Sequence, residues 1–101
     1  MSRAFGGIDG IKLGTSQSIA CTTTSTNATN AFGAQTWAVR VAVSGTGLTH
    51  YRVGDGTQTA VTSDPFLPTG WVDIIRVTPG QKIAAITESG TATLTVTEAT
   101  Q

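Results

Sequence analysis

Few side chains in this sequence are suited to bond-making chemistry. There is one histidine, His50, and one cysteine, Cys21. Catalysis by acid, base or nucleophile needs polar groups that converge with matched pKa values. His50 has Ser44, Ser63, Asp55 and Asp64 within reach in sequence, the raw material of a hydroxyl–imidazole–carboxylate triad. A triad is defined by geometry rather than spacing, and the Gly-x-Ser-x-Gly elbow is missing. Period-2 reading places His50 on the outward side of a strand beside Arg52, solvated or at an interface. The six carboxylates are scattered, and Asp9, Asp55 and Asp64 stand next to turn glycine or proline. Asp at a turn serves its own backbone, so a glycosidase pair is not expected.

Cys21 alternates with Ile19, which marks it as a small buried hydrophobe without a basic neighbour to form a thiolate. One Cys and one His are too few for a structural zinc site, and Asp55-Gly56 offers a single carboxylate where calcium needs several oxygens. Gly45-Thr46-Gly47 lacks the lysine and helix of a phosphate loop. No cofactor or metal is expected, and no enzymatic activity. The large aromatics remain. Trp37 continues a valine face and reads as core. Trp71 follows Pro68-Thr69-Gly70 and reads as half exposed, suited to an interface. A sugar platform built from Trp71, Tyr51 and Trp37 is the rival use of the same residues.

The elements that carry these residues are strands. Threonine is the commonest residue, with 20 copies, and its branched side chain suits a pleated surface. No window shows a helical stripe. Strict alternation runs through 36–44, where Trp37, Val39, Val41 and Val43 share a face. Further strands are expected over 17–24, 48–53, 57–62, 71–78, 81–88 and 91–98. In the last, Ala92, Leu94 and Val96 point inward. Asp55-Gly56 and Pro79-Gly80 are the turns, the second of type II. Phe66, framed by Pro65 and Pro68, belongs at a sheet edge or outside it. Seven or eight short strands predict a single-domain all-β sandwich, in first place a jelly roll of antiparallel strands.

Two stretches fit less simply. Residues 1–15 hold four glycines together with Phe5, Ile8, Ile11 and Leu13, and are expected to form an extended N-terminal arm, with the sandwich over 16–101. Residues 25–35 read as a long polar connection with one apolar residue, Phe32. The Asn27-Ala28-Thr29 triplet carries no weight as a glycosylation signal.

Composition excludes several classes. Of 101 residues, 39% are hydrophobic and 12% charged, and the six Lys plus Arg balance the six Asp plus Glu. Zero net charge argues against a nucleic-acid binder and against a polybasic membrane-surface protein. No apolar run approaches a membrane span, the first residues lack the apolar core of a signal peptide, and a lone cysteine excludes an internal disulfide.

The second half is more specific. Gly54-Asp55-Gly56-x-x-Thr59-Ala60 leads to Asp64-Pro65-Phe66-Leu67-Pro68. Val77-Thr78-Pro79-Gly80-Gln81-Lys82-Ile83-Ala84 and Gly90-x-x-x-Leu94-Thr95-Val96-Thr97-Glu98 follow, and residues 27–35 with Thr36-Trp37-Ala38-Val39-Arg40 precede them. Over about residues 17–98 this order resembles a group of small tailed-bacteriophage virion proteins, some of them similar to capsid decoration (cement) proteins. The resemblance implies a non-enzymatic structural protein, made in the bacterial host cytoplasm and located on the capsid surface. Its partners would be the major capsid protein and copies of itself, with a trimer expected. A place in the tail, collar or fibre base is the alternative. The group lends no site residues. The expected partner-facing residues are Phe5, Ile8, Ile11, Leu13, Phe66 and Trp71.

Overall fold

Eight strands follow one another in the computed structural model, which describes residues 12–100. They are β1 (Lys12–Cys21), β2 (Thr26–Asn27), β3 (Ala38–Gly45), β4 (Thr49–Gly54), β5 (Phe66–Leu67), β6 (Val72–Arg76), β7 (Lys82–Thr87) and β8 (Ala92–Thr100). They form two four-stranded sheets, β1-β8-β3-β6 and β2-β7-β4-β5, with every pairing antiparallel. First pairs with last, second with seventh, third with sixth, fourth with fifth. That is one long antiparallel hairpin rolled up so that successive pairs fall in alternate sheets, which makes the expected sandwich a jelly roll.

The core lies between the sheets. Val39, Val41 and Val43 of β3, Leu94 and Val96 of β8, and Ile19 and Cys21 of β1 meet Ile83 and Ala85 of β7 and Tyr51 of β4. Alternation explains the choice in β3 and β8, which turn an apolar parity inward and mostly threonine, serine or charge outward, whereas β4 and β7 bury residues of both parities. Trp37 is the exception. It stands one residue before β3, half-buried and outside the core cluster, with the Arg76 guanidinium 5.5 Å from its ring centroid. Its indole N–H is buried and has no protein acceptor.

Loops depart from the sequence expectation for a common reason. Residues 57–62, expected as a weak strand, form none. Their N–H groups are taken by side chains: Gln58 N–H by Asn27 Oδ1 at 2.9 Å, Ala60 N–H by Ser25 Oγ at 2.8 Å, and Val61 N–H by Asp64 Oδ2 at 2.9 Å. Donors spent in this way are lost to a ladder. The long connection before β3 is pinned by Phe32, a core residue. Its N–H donates to Gln81 O, and its carbonyl accepts from Gly80. Gly80 has φ +86°, and Gln81 N–H donates to Thr78 O at 3.2 Å, the expected type II turn.

The boundary between arm and sandwich moves. Residues 12–15, expected in the arm, belong to β1, where Lys12 pairs with Thr100 and Leu13 with Ala99. The register then shifts before Ser16. Gly14 sits inside that irregularity, and it interrupts the alternation that would have revealed the strand. Phe5, Ile8 and Ile11 lie outside the described residues.

Candidate functional site

Two edge strands and the link between them build an open apolar groove at one side of the sandwich. β5 closes one side of the second sheet and β6 one side of the first. The chain crosses between the sheets through residues 68–71. Gly70 has φ +85°, and Trp71 N–H donates to Pro68 O at 3.1 Å, so this link is also a tight turn. Gly70 N–H bonds Val43 O at 2.9 Å and ties the turn to β3. Trp71 is thereby fixed at its backbone yet 64% exposed, beside Phe66 at 57% and Val72 at 44%.

These residues line a groove of about 560 Å³ together with Leu67, Pro68 and Asp73. Asp73 is its single charged group, and its position follows from β6 parity. Val41 is its cross-strand partner and faces the core, so Asp73 points into the inter-sheet space at the open edge. Its Oδ2 accepts the Tyr51 hydroxyl at 3.2 Å, and its Oδ1 accepts the Ile74 N–H at 2.9 Å. The Tyr51 phenol is pushed up to about 12, first by burial, then by the Asp73 charge and the hydrogen bond to it. Asp73 has no cationic partner among the described residues.

Phe66 is held from behind. The His50 ring lies edge-on to it at 5.9 Å between centroids. His50 is only 3% exposed, which corrects the expectation of a solvated residue. It does face away from the core, as parity requires, but residues 64–66 and Glu88 roof it. Nδ1 meets Asp64 O at 2.8 Å and, since a carbonyl only accepts, donates to it. Nε2 meets the Glu88 carboxylate at 2.8 Å. Both nitrogens are thus engaged without a hydroxyl, and the Ser44 or Ser63 triad is not assembled. His50 is a positioning residue for Phe66 and the 64–66 backbone.

Other expected residues are dispersed. Leu13 is 55% exposed but lies on β1, the opposite edge of the first sheet from β6. The three-aromatic sugar platform does not come together. The Tyr51 ring is buried, and Trp37 and Trp71 flank opposite ends of the β3–β6 pair. Cys21 is buried as expected, and burial pushes its thiol up. No group of three or more His, Cys, Asp or Glu is placed to hold a metal among the described residues.

Sequence reasoning found Phe66 and Trp71 and missed Asp73, although the signal was present. Positions 71, 73 and 75 share one parity, so the strand that shows Trp71 at the edge also shows a carboxylate on its inward face. Glu88 gave no signal, because it meets His50 diagonally across the β4–β7 ladder, two residues beyond the His50–Ile86 pair, and that register is not written in either strand alone.

No family model, curated protein or solved structure matches this chain. The fold and the groove therefore stand on their own geometry.

Proposed function

We propose that the chain is a non-enzymatic structural protein of a tailed-bacteriophage virion, a decoration protein that seats on the capsid shell and stabilises it. The virion assignment draws on the sequence resemblance over about residues 17–98. The observation that carries the structural role is a pair of open surfaces on one stiff body. One is the apolar groove at the β5–β6 edge. The other is the outer face of the first sheet, where the rows Ser18–Thr95–Ala42 and Ala20–Thr93–Ser44 lie side by side, next to a row in which Thr97 is buried beside Ser16 and Arg40.

A protein that tiles a lattice needs two contacts, one to the shell and one to its own copies. Short side chains, most of them hydroxylated, let another surface approach closely, and the charges of this face, Arg40 and Arg76, are few enough to keep like-charge repulsion small. Repetition over many sites raises the effective concentration of each weak contact. A tail, collar or fibre-base position uses the same two surfaces and differs in copy number.

Quantitative mass spectrometry of gradient-purified particles separates the readings. A ratio near that of the major capsid protein is the expected result. A few copies per particle would move the protein to the tail or collar. Absence from the particle would overturn both, and tryptophan fluorescence against a panel of sugars would be the next measurement.

A further inference from the structure

The groove has one charge and an unfilled apolar hollow, and the chain itself carries a segment that matches both. Residues 1–11 contain one basic residue, Arg3, one acidic residue, Asp9, and four large apolar ones, Met1, Phe5, Ile8 and Ile11. Arg3 and Phe5 are two positions apart, so in an extended chain they fall on the same side and about 7 Å apart. In the groove, Asp73 lies two positions beyond Trp71 in the chain, and its carboxylate still has lone pairs beyond those that meet the Tyr51 and Ile74 donors.

Strand direction says whose groove is filled. β1 runs from Lys12 to Cys21, and Cys21 is level with Ala92 and Gly45. That is the end of the sheet at which Val72 and Trp71 stand, since Val72 is level with Ala42. The chain therefore enters β1 at the end remote from the groove. It also enters on the opposite edge, roughly 14 Å away across three strand spacings. Lys12 thus lies at the far corner of the first sheet from the molecule's own groove, which leaves that groove open to the segment of another copy.

We propose that the groove between Phe66 and Trp71 receives residues 1–11 of a second copy of the chain, with Phe5 in the apolar hollow and Arg3 against the Asp73 carboxylate. The contact is head-to-tail, so its repetition closes a ring when the rotation permits, a trimer in the smallest symmetric case beyond a pair. Zero formal net charge lets copies approach, while the Arg3–Asp73 pair selects the partner surface. The proposal concerns the purified chain alone, so its failure leaves the virion reading standing, and absence from particles leaves self-association standing.

The test is sedimentation velocity of the full chain over micromolar to millimolar concentrations, with charge-reversal variants. The wild type is expected to associate. Arg3→Asp, Phe5→Ser and Asp73→Lys are each expected to weaken association at least tenfold, and the double variant Arg3→Asp/Asp73→Lys to recover most of it. Asp73 also serves Tyr51, so a circular-dichroism melt accompanies its variants. Arg3→Asp, a substitution outside the eight strands, carries the decision if Asp73→Lys is unfolded, with its own circular-dichroism melt as the control. A wild type that stays monomeric throughout would overturn the proposal. So would association unaffected by Arg3→Asp.

Discussion

At the scale of single residues, the site is governed by what covers a side chain. The Tyr51 hydroxyl is enclosed between the sheets and donates to a carboxylate, and both conditions hold its proton. Burial first, and then the Asp73 charge and hydrogen bond, push the phenol up to about 12 in the folded chain, against about 10 in an unfolded one. A pKa raised on folding contributes stability that is complete below the unfolded value and is lost as pH rises through the folded one. The protein should therefore lose on the order of 2 kcal/mol between about pH 10 and pH 12 from this group alone. Tyr51→Phe should flatten that alkaline limb while costing about 1 kcal/mol at neutral pH through the lost hydrogen bond. Urea denaturation across the alkaline range checks both, and an unchanged limb in Tyr51→Phe would remove Tyr51 as its source. His50 shows why such details escape a sequence. Alternation tells which face of a strand a residue occupies, and it placed His50 correctly on the outer face. Whether a loop roofs that face depends on residues 64–66 and Glu88, which no local pattern joins to it.

At the scale of elements, legibility divides between strands and connections. β3 and β8 announce themselves by alternation, because one face must be apolar for the sheet to bury it, while β6 and β7 show instead as short apolar runs bounded by turns. β2 and β5 hold two residues each, too few to show a period. The 57–62 segment shows the converse: threonines favour a strand, but Asn27, Ser25 and Asp64 claim its donors first. Asp64 is the hub of that connection, accepting from Val61 N–H and from the Arg52 guanidinium at 3.1 Å. Desolvation alone would raise its carboxyl. The Val61 N–H and the Arg52 bond and charge outweigh it and hold the group below the ordinary carboxylate value. A depressed pKa contributes stability that is present above the unfolded value and lost as pH falls through the folded one. Acid should thus loosen residues 61–65 before the core. An NMR titration should show the Val61 amide shift following a midpoint below about 3.9. Asp64→Asn should abolish the transition, and a midpoint at or above the ordinary value would contradict the assignment.

At the scale of the whole molecule, the balance between burial and exposure ties stability to association. The lone cysteine leaves a core without a disulfide to reinforce it, and three large apolar side chains, Phe66, Trp71 and Val72, stay in water at one edge. Covering them by a neighbour binds the folded state and not the unfolded one, so it stabilises by mass action. With the partner at a hundred times its dissociation constant the gain is about 2.7 kcal/mol. For a domain of this length that moves the melting temperature by on the order of 10 °C. The wild-type melting temperature should therefore climb with protein concentration, whereas Arg3→Asp should melt at one temperature throughout. A monomeric fold gives no such dependence, because unimolecular unfolding is indifferent to dilution. Differential scanning calorimetry over a dilution series reads the slope directly. A slope present in both proteins would place the self-contact somewhere other than the Asp73 groove, and the hydroxyl-lined face of the first sheet would be the surface to vary next.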